Sequence, residues 1–254
     1  MALFEIRGLR KRFGDHQVLD GIDLDVHPRE LITIIGKSGS GKSVLLKHMI
    51  GLIRADEGTI RFDGKDVTAL SESEWVPVRK RIGMLFQEGA LFDSLSVEDN
   101  VAYALREHRA MSEPDIAKRV AESLALVDLP GIQRMWPADL SGGMRKRVSL
   151  ARAIAMHPEV VLYDEPTEGL DPINVTRVYR LLERLRAQLG VTTVVVTHNM
   201  QAAFSVSDRL AFVHEGEGRG HRPPAELDRM NDPRLEPFKK ASRLRAKTRP
   251  SVPG

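Results

Sequence analysis

A glycine-rich loop between an apolar strand and a helix constrains this chain more than any other feature. Residues Leu31–Ile35 form a continuous apolar run, which is typical of a strand covered on both faces. The segment GKSGSGKS follows at Gly36–Ser43, and helical periodicity then runs from Lys42 to about Ile50. Glycines let backbone N–H groups curve around phosphates, and a helix N-terminus adds a positive end. The spacing G-x-x-x-x-G-K-S in this context predicts a phosphate-binding loop.

Every position of this loop is a candidate nucleotide contact. Lys42 is expected to reach the β- and γ-phosphates, and the Ser43 hydroxyl is expected to hold Mg²⁺. The alternative is a flexible Gly/Ser loop without a ligand. The predicted nucleotide-binding residues are Gly36, Lys37, Ser38, Gly39, Ser40, Gly41, Lys42 and Ser43.

The order of the other elements predicts an α/β fold. Leu3–Arg7 and Val18–Val26 have strand patterns, and Gly58–Lys65 alternates and closes on Asp63-Gly64, a hairpin signal. The middle third is mostly helical, and short apolar strands then alternate with amphipathic helices, which favours a parallel sheet. The predicted helices of the middle third are Val97–Leu105, Pro114–Val127 and Met144–Met156. The predicted later elements are strands Val160–Tyr163, Val191–Val196 and Arg209–Val213 and helices Ile173–Leu189 and Gln201–Val206.

Composition excludes several classes of protein. A hydrophobic content of 42% and a charged content of 29% are ordinary for a globular protein. The longest apolar runs are strand-sized and too short to cross a bilayer. The N-terminal segment lacks the pattern of a cleavable signal, and the absence of cysteine excludes disulfides and thiolate chemistry.

Positive charge is concentrated at the C-terminus. The formal net charge is +3, and six basic residues with no acidic one follow from Lys239 onward, so the remainder sums to about −3. We therefore predict a basic tail over residues 239–254 and no nucleic-acid partner. The tail is interpreted in three ways: contact with anionic lipid headgroups, docking on a protein partner, or a solvated segment.

A pair of carboxylates ends a second apolar strand. The segment VVLYDE covers Val160–Glu165. Asp164 is a candidate Mg²⁺ ligand, and Glu165 is a candidate base for the attacking water. A surface Asp-Glu turn is the alternative, which the presence of a phosphate loop disfavours.

Four further residues have both a functional and an ordinary interpretation. Gln87 ends a strand-like run and is either a ligand of the metal and the water or a solvated side chain. His198 follows the run VTTVVVT and either contacts the γ-phosphate or caps a helix. Asp171 is either a nucleotide-site residue or the start of a turn at Pro172, and Phe13 either stacks on adenine or packs in a loop or core.

The segment LSGGMRKR contains a second glycine-rich helix start. Ser141 is a favourable N-cap, and Gly142 and Gly143 allow close backbone approach while the first N–H groups of the helix remain unpaired. Such a terminus stabilises negative charge, so the residues Leu140, Ser141, Gly142 and Gly143 are predicted to form an anion-binding helix start. The alternative is a glycine-rich helix cap without a ligand.

These motifs in this order resemble an ABC transporter nucleotide-binding subunit over nearly the whole chain. The resemblance implies a P-loop NTPase (RecA-like) core, an N-terminal antiparallel β subdomain and a helical subdomain inserted at about residues 90–157, all within an ATPase domain of residues 1–238. It implies ATP and Mg²⁺ as ligands and ATP hydrolysis as the activity. It also implies a head-to-tail dimer, in which each ATP lies between the phosphate loop of one chain and the Leu140–Gly143 signature of the other.

Three segments resemble the ATPases of the Mla (maintenance of lipid asymmetry) and Mce lipid-transport systems. They are FQEGALFDSLSVEDNVAYALREH at Phe86–His108, LSGGMRKR with its Met144, and NDPRLEPF at Asn231–Phe238. The resemblance implies a permease contact through Gly89–Ser96, an Mce-domain lipid-binding partner and a peripheral position on the cytoplasmic face of the inner membrane.

Alternatives to lipid transport remain open. They are an ABC subunit for an amino acid, an ion or a lipoprotein, a soluble ABC ATPase outside transport, and a non-catalytic nucleotide sensor. A sensor is expected to lose Glu165, Lys42 or His198, and all three are present. Lys37 stands where the family more often has proline or another small residue, and its side chain is expected to point outward. Residues His214–Leu227, rich in glycine and proline, are predicted to be a loop in place of the usual hairpin.

Overall fold

The computed structural model describes residues 1–87, 89–109 and 111–244. Glu88, which belongs to the Mla-like segment Phe86–His108, and residues 245–254 of the predicted tail lie outside the described residues. The chain divides into two compact units. The first unit consists of Met1–Ala69 and the chain from Val195 onward, and the second consists of Leu70–Val194.

Ten strands and nine α-helices are present in the described residues. The first segment of unit one contains β1 (Phe4–Phe13), β2 (His16–Val26), β3 (Leu31–Ile35), α1 (Lys42–Met49), β4 (Glu57–Phe62) and β5 (Lys65–Asp66). The second unit contains α2 (Glu72–Arg79), β6 (Ile82–Leu85), α3 (Val97–Glu107), α4 (Glu113–Leu126), α5 (Gly142–Ile154), β7 (Val160–Asp164) and α6 (Pro172–Leu189). The chain continues through β8 (Thr192–Thr197), where the units divide, to α7 (Met200–Val206), β9 (Arg209–His214), β10 (Glu217–Arg222), α8 (Pro224–Arg229) and α9 (Glu236–Leu244).

An antiparallel sheet of order β2-β1-β4-β5 forms the N-terminal part of the first unit. Phe4 pairs with Phe62 across the sheet, and their rings lie 4.8 Å apart. The predicted hairpin turn at Asp63-Gly64 is present, and both residues have positive φ, at 52° and 75°. That backbone matches a type I′ turn, whose twist fits paired strands. The predicted antiparallel β subdomain is therefore observed.

Parallel strands occur in both units. In the first unit, β3 pairs parallel with β9, with Ile32 opposite Arg209 and Ile35 opposite Phe212. In the second unit, β6 pairs parallel with β7, with Ile82 opposite Val160. Every residue of β3 and β7 is buried, as their continuous apolar sequences predict. The predicted α/β class is confirmed.

The second unit also contains the predicted helical segment. Helices α3, α4 and α5 correspond to the three helices predicted for residues 97–156, and their inner positions are fully buried. Helix α2 was not predicted, although Ser71-x-x-Glu74 carries a helix-start signature. The Glu74 carboxylate accepts a hydrogen bond of 2.8 Å from the Ser71 backbone N–H, which closes the first turn of α2.

The segment predicted as a loop at His214–Leu227 is instead a hairpin followed by a helix, so that prediction is wrong. β10 pairs antiparallel with β9, with Glu217 opposite His214. The turn residues Glu215 and Gly216 have φ values of 50° and 79°, again the type I′ pattern. A Cβ at Gly216 would lie 2.7 Å from the Val18 carbonyl oxygen. Turn geometry and a close contact to the distant strand β2 determine this hairpin. The low apolar content of the segment therefore does not indicate whether it forms strands.

The predicted tail boundary after Phe238 falls inside α9. Phe238 packs on Phe212 with ring centroids 5.2 Å apart and belongs to a core cluster of the first unit. Lys239 is also buried, and its ammonium donates to the Met230 carbonyl and, at 2.9 Å, to Glu236. Residues 239–244 therefore continue helix α9. The hydrogen bonds of the Lys239 ammonium offset the cost of burying its charge.

Candidate functional site

The phosphate loop lies between β3 and α1 and has the backbone that phosphate binding requires. Gly39 and Gly41 have positive φ, at 80° and 96°, which side-chain-bearing residues rarely adopt. A Cβ at Gly36 would lie 2.3 Å from the Val213 carbonyl oxygen, and one at Gly41 would lie 2.6 Å from Leu19 Cδ2. Two glycines of this loop are thus required by the packing of the first unit itself.

The polar side chains of the loop fit a phosphate ligand. The Lys42 ammonium is held within the loop by the carbonyls of Gly36 at 3.0 Å and Lys37 at 2.8 Å. The Ser40 hydroxyl is buried and has no hydrogen-bond partner among the described residues. Lys37 and Ser38 are exposed, so the Lys37 side chain points outward as predicted. The loop therefore combines a fixed positive charge with a buried hydroxyl that has hydrogen-bonding capacity to spare.

Phe13 and His198 belong to the same unit as the loop. Phe13 ends β1 with an exposed fraction of 47%, and the Lys11 ammonium lies 5.4 Å from its ring centroid. This exposure excludes the interpretation of Phe13 as a core residue and leaves a ring face available. His198 follows β8 and is exposed, but the N-cap of α7 is Asn199, whose side chain accepts from Ala202 N at 3.2 Å. The interpretation of His198 as a helix cap is therefore wrong.

The two predicted carboxylates end β7 in the second unit. Asp164 is 4% exposed and Glu165 is 9% exposed. Glu165 has a φ of 46°, and its carbonyl accepts from the Glu168 backbone N–H at 3.2 Å in a tight turn. A glutamate in the left-handed region is strained, and such strain is concentrated at functional sites. The pair is buried, which disagrees with an ordinary surface turn.

Contacts around Glu168 join three motifs of the second unit. Gln87 Nε2 donates to the Glu168 carboxylate at 2.5 Å. Lys146, on the signature helix α5, donates to the carbonyls of Glu168 at 2.6 Å and Glu165 at 3.4 Å. Burial lowers the pKa of Lys146, and the charges of Glu168 and Glu165 oppose that shift. Sequence reasoning missed the roles of Lys146, which lies in the segment LSGGMRKR, and of Glu168, since only the fold brings them together.

The signature segment Leu140–Gly143 begins α5 with a side-chain cap and an unobstructed surface. Leu140 is buried, whereas Ser141 and Gly142 are exposed. The Ser141 hydroxyl accepts from the Met144 backbone N–H at 3.3 Å, which confirms the predicted N-cap. A Cβ at Gly142 would meet nothing within 4 Å, and one at Gly143 would lie 3.9 Å from the Asn174 side chain. Among the described residues, no packing contact requires these two glycines.

Asp171 is the N-cap of α6. Its carboxylate accepts from the backbone N–H groups of Ile173 at 3.0 Å and Asn174 at 3.1 Å. Hydrogen bonds from Asn174, backbone first and side chain second, lower the pKa of Asp171. The structure thus gives Asp171 a structural role at a helix start, and its predicted contact with nucleotide stays a prediction.

The segment Gly89–Ser96 is tied closely to α3 and α5. The Ser149 hydroxyl donates to the Gly89 carbonyl at 2.7 Å, and Arg152 donates to the Ala90 carbonyl at 2.8 Å. Asn100, which is fully buried, accepts from Phe92 N at 2.8 Å. Its amide donates at 3.0 Å to each of three carbonyls, those of Phe92, Leu95 and Ser96. This fully paired asparagine holds the loop in one conformation.

Phe92 of this segment and Tyr103 of α3 form an exposed aromatic pair. Phe92 and Tyr103 are 43% and 46% exposed, with ring centroids 4.8 Å apart. The Arg152 guanidinium lies 5.7 Å from the Phe92 ring centroid. Large exposed aromatic side chains on an ordered loop are typical of a protein contact surface.

A protein-family model described as ABC transporter matches residues 19–168, which is more than half of the chain. The chain belongs to the ABC transporter family. The match contains the phosphate loop, the signature segment and both carboxylates. The predicted family membership is therefore confirmed.

Curated relatives of this ABC transporter chain carry two different transport descriptions. It is 39% identical over 236 residues to the intermembrane phospholipid transport system ATP-binding protein MlaF of Escherichia coli K12, covering 93% of this chain and 88% of MlaF. It is 42% identical over 209 residues to the probable ribonucleotide transport ATP-binding protein mkl of Mycobacterium leprae, covering 82% of this chain. This alignment spans only 60% of the mycobacterial protein.

Solved structures of ABC cassettes have the same fold. The post-hydrolysis dimer of the ATP-binding cassette MJ0796 bound to ADP and Pi matches with a TM-score of 0.80 and 30% identity, covering 87% of this chain and 98% of that one. The cbiO1 protein of Clostridium perfringens, part of the transporter complex cbiONQ, matches with a TM-score of 0.82 and 28% identity over 96% of this chain and 94% of cbiO1. No helix in the described part of the chain is long and apolar enough to span a bilayer.

Proposed function

We propose that this chain is the ATP-binding and ATP-hydrolysing subunit of an ABC transporter that drives phospholipid transport. The observation that carries the catalytic part is Glu165, a buried carboxylate in a strained backbone turn at the end of a core strand. The family membership and the phosphate loop supply the nucleotide site to which such a carboxylate belongs.

The phosphate loop binds the triphosphate in this proposal. Lys42 is already oriented by two loop carbonyls, so little side-chain entropy is lost when its charge meets the β- and γ-phosphates. Mg²⁺ would neutralise phosphate charge when bound. Ser43, Asp164 and Gln87 would hold it, and their oxygen atoms are hard donors that suit this ion. No group of three or more His, Asp or Glu side chains in the described residues forms an independent metal site, and Mg²⁺ commonly relies on few protein ligands plus phosphates.

Hydrolysis requires a base for the attacking water and a group at the γ-phosphate. Glu165 is assigned as the base, and its turn is fixed by Lys146 from the signature helix. Gln87 is assigned to orient the water or the metal. Its hydrogen bond to Glu168 links that position to the turn that follows Glu165. His198 is assigned to the γ-phosphate because it is exposed at the end of a buried strand.

A second copy of the chain completes each site in a head-to-tail dimer. The open start of α5 bears two glycines that the packing of their own chain does not require, so a phosphate can approach the first N–H groups closely. The solved cassette MJ0796 is described as a dimer bound to ADP and Pi, which supports this arrangement.

Of the two transport descriptions that the relatives carry, we assign phospholipid transport to this chain. MlaF aligns over most of both chains, whereas the mycobacterial ribonucleotide-transport relative aligns over a smaller share of its length. We assign the Gly89–Ser96 segment, with Phe92 exposed on it, as the permease contact. An Mce-domain lipid-binding protein is the further partner, and the chain acts peripherally on the cytoplasmic face of the inner membrane.

The catalytic assignment is tested with Glu165→Gln. We expect turnover to fall by about 10²–10⁴-fold while ATP binding persists, because the amide cannot accept the proton of the attacking water. ATPase rate and nucleotide affinity are measured on the same preparation. Glu183→Gln, an exposed carboxylate on α6, is the matched control and should retain the wild-type rate. Wild-type turnover by Glu165→Gln would exclude Glu165 as the base.

The permease assignment is tested with the double change Leu91→Ala and Phe92→Ala. We expect the purified chain to keep its basal ATPase rate and the reconstituted transporter to lose lipid transport. Leu52→Ala is the control, because Leu52 is 51% exposed and lies outside the segment. Normal transport by the double variant would contradict the assignment.

A further inference from the structure

A strongly basic pocket lies within the second unit. Its volume is about 560 Å³, within the range of about 300–1,000 Å³ that is usual for small-molecule sites. Helices α5 and α6 and the turn at Asp128 line it. Its charged lining residues are Arg147, Arg177, Arg180, Arg184 and Asp128, a formal sum of +3.

Two of the four arginines are held by their own chain. Arg184 forms an ion pair with Asp128 at 2.8 Å and donates to the Leu126 carbonyl at 3.0 Å. Arg147 donates to the carbonyls of Asp128 at 3.1 Å and Val127 at 3.3 Å. These contacts hold both guanidinium groups at the wall of the pocket.

The other two arginines have no such partners. Within residues 1–87, 89–109 and 111–244, Arg177 and Arg180 form no ion pair and no side-chain hydrogen bond. Several other arginines of the second unit are paired with carboxylates, as in Arg79 with Glu72, Arg81 with Glu159 and Arg106 with Asp99. Burial lowers the pKa of Arg147, Asp128 opposes that shift, and the charge of Arg177 adds to it. The pocket therefore concentrates positive charge that the chain itself does not neutralise.

One helix start adds to the positive field of the pocket. Gly143, the second residue of α5, lines the pocket, and α5 has no acidic residue in its first turn. Asn174, the third residue of α6, also lines the pocket, but the Asp171 carboxylate already accepts from its backbone N–H. Helix N-termini favour anions, and the guanidinium fork suits the paired oxygens of a phosphate group.

We propose that this pocket is a second anion site, which binds a phosphate-bearing ligand through Arg177 and Arg180. The proposal goes beyond the proposed function, since the lining contains no residue of the phosphate loop, Asp164 or Glu165. Gly143 is the single predicted nucleotide contact on its wall. The phosphate group belongs either to a free anion such as a polyphosphate or to a lipid headgroup.

The test is a calorimetric titration of the full chain with inorganic pyrophosphate while Mg²⁺ and ADP are saturating, so that the phosphate loop is already occupied. We expect one additional site. Arg177→Gln and Arg180→Gln should each weaken it by about ten-fold or more, because a charge-assisted hydrogen bond is removed. Arg186→Gln removes a charge from the same helix outside the lining and should leave the affinity unchanged. Thermal unfolding of each variant checks that the second unit remains folded.

A parallel experiment distinguishes the two phosphate sources. Vesicles of phosphatidylcholine containing phosphatidic acid are sedimented with the wild type and with each variant. Pyrophosphate binding that is weakened by Arg177→Gln and Arg180→Gln supports a free anion as the ligand. If pyrophosphate does not bind, but the chain sediments with the vesicles and both substitutions reduce that sedimentation, the ligand is a lipid headgroup.

Three results would overturn the proposal. The first is that neither probe binds, and the second is that binding is unaffected by the two pocket substitutions but abolished by Lys42→Ala in the phosphate loop. The third is that polyglutamate binds in an arginine-dependent way while both phosphate probes fail, which would indicate an acidic protein segment instead. None of these results bears on Glu165, so the failure of this proposal is distinguishable from the failure of the proposed ATPase.

Discussion

The two glycine-rich helix starts of this chain look alike in sequence and differ in structure. At the start of α1, Gly41 has a φ of 96° and no room for a Cβ. At the start of α5, Gly142 is helical and its Cβ position is open. The first start has no side-chain cap, whereas Ser141 caps the second. Glycine at α1 is thus required for the fold, and glycine at α5 is required only if something from outside the chain approaches it.

This difference agrees with the proposed dimer. A loop that wraps phosphate within its own chain needs special backbone angles and close packing, which only glycine permits. A helix start that is offered to a neighbour needs an unobstructed surface and free N–H groups. The same residue type therefore meets two physical requirements, which substitutions can separate.

The largest expected effect is that of Ser141→Arg on hydrolysis. A bulky cation at the open start of α5 should lower ATPase turnover by about 10²–10³-fold by blocking approach of the partner's phosphate, while nucleotide binding to a single chain is unchanged. ATPase rate and nucleotide affinity are measured in parallel. Ser141→Ala is the control, since it removes the cap at a cost of about 1 kcal/mol but leaves the surface open. Equal loss of activity in both variants would mean that the cap alone matters.

The next effect is a loss of stability at the first helix start. Gly41→Ala would place a Cβ 2.6 Å from Leu19 Cδ2 and 2.7 Å from the Val18 carbonyl oxygen. We expect the free energy of unfolding to fall by about 1–3 kcal/mol from backbone strain, with more from the clash, and nucleotide binding to weaken. Denaturant unfolding measures the loss.

Gly39→Ala is the matched control for this experiment. Gly39 also has a positive φ, of 80°, but no atom lies within 4 Å of its Cβ position. It should show the strain without the clash. Equal losses from Gly39→Ala and Gly41→Ala would exclude packing against Leu19 as a cause.

Gly142→Ala should have the opposite sign for stability. Alanine is favoured over glycine inside a helix by about 0.5–1 kcal/mol, so the free energy of unfolding should rise by up to that amount. Hydrolysis should nevertheless fall, because the added methyl group keeps a partner's phosphate at a distance. A stabilised variant with unchanged turnover would contradict the role of α5 in a shared site.

The smallest effect is a pH dependence specific to α1. His48 lies in α1 and is buried, and desolvation lowers its pKa from the ordinary value of 6.5. The unfolded chain therefore binds this proton more readily, so the stability contributed by neutral His48 is present above pH 6.5 and is lost as the pH falls through the lowered pKa. The slope for one group is at most about 1.4 kcal/mol per pH unit.

Unfolding free energies at a series of pH values measure this term. His48→Gln should flatten the curve below pH 6.5, whatever its effect on absolute stability. No histidine occurs in Gly142–Ile154, so α5 contributes no equivalent term. Identical slopes in the wild type and His48→Gln would exclude this histidine as the source.

Local sequence predicted the features whose physics is local. The phosphate loop, the Asp63-Gly64 turn and the Ser141 cap each depend on a few adjacent residues, and each is observed. The same local rules identify α2 from Ser71 and Glu74, so that element was overlooked although its signal was present.

Features that depend on distant partners were predicted poorly. The hairpin after His214 was missed because its turn is fixed partly by the contact of Gly216 with Val18. Lys239 was assigned to a basic tail outside the ATPase domain, yet it lies in α9, which packs on the core of the first unit, and it pairs with Glu236. The hydropathy pattern along the chain does not predict such contacts.

The sequence by itself determined the family, the glycine-rich loop before α1 and the carboxylate pair, because each depends on residue type and spacing along short segments. Only the tertiary structure decided which glycines the packing of the described residues requires and how Lys146 and Gln87 converge on the turn that follows Glu165. It also decided that Arg147 lines one pocket together with Arg177 and Arg180. Those properties are distances between residues far apart in the chain, and folding alone determines them.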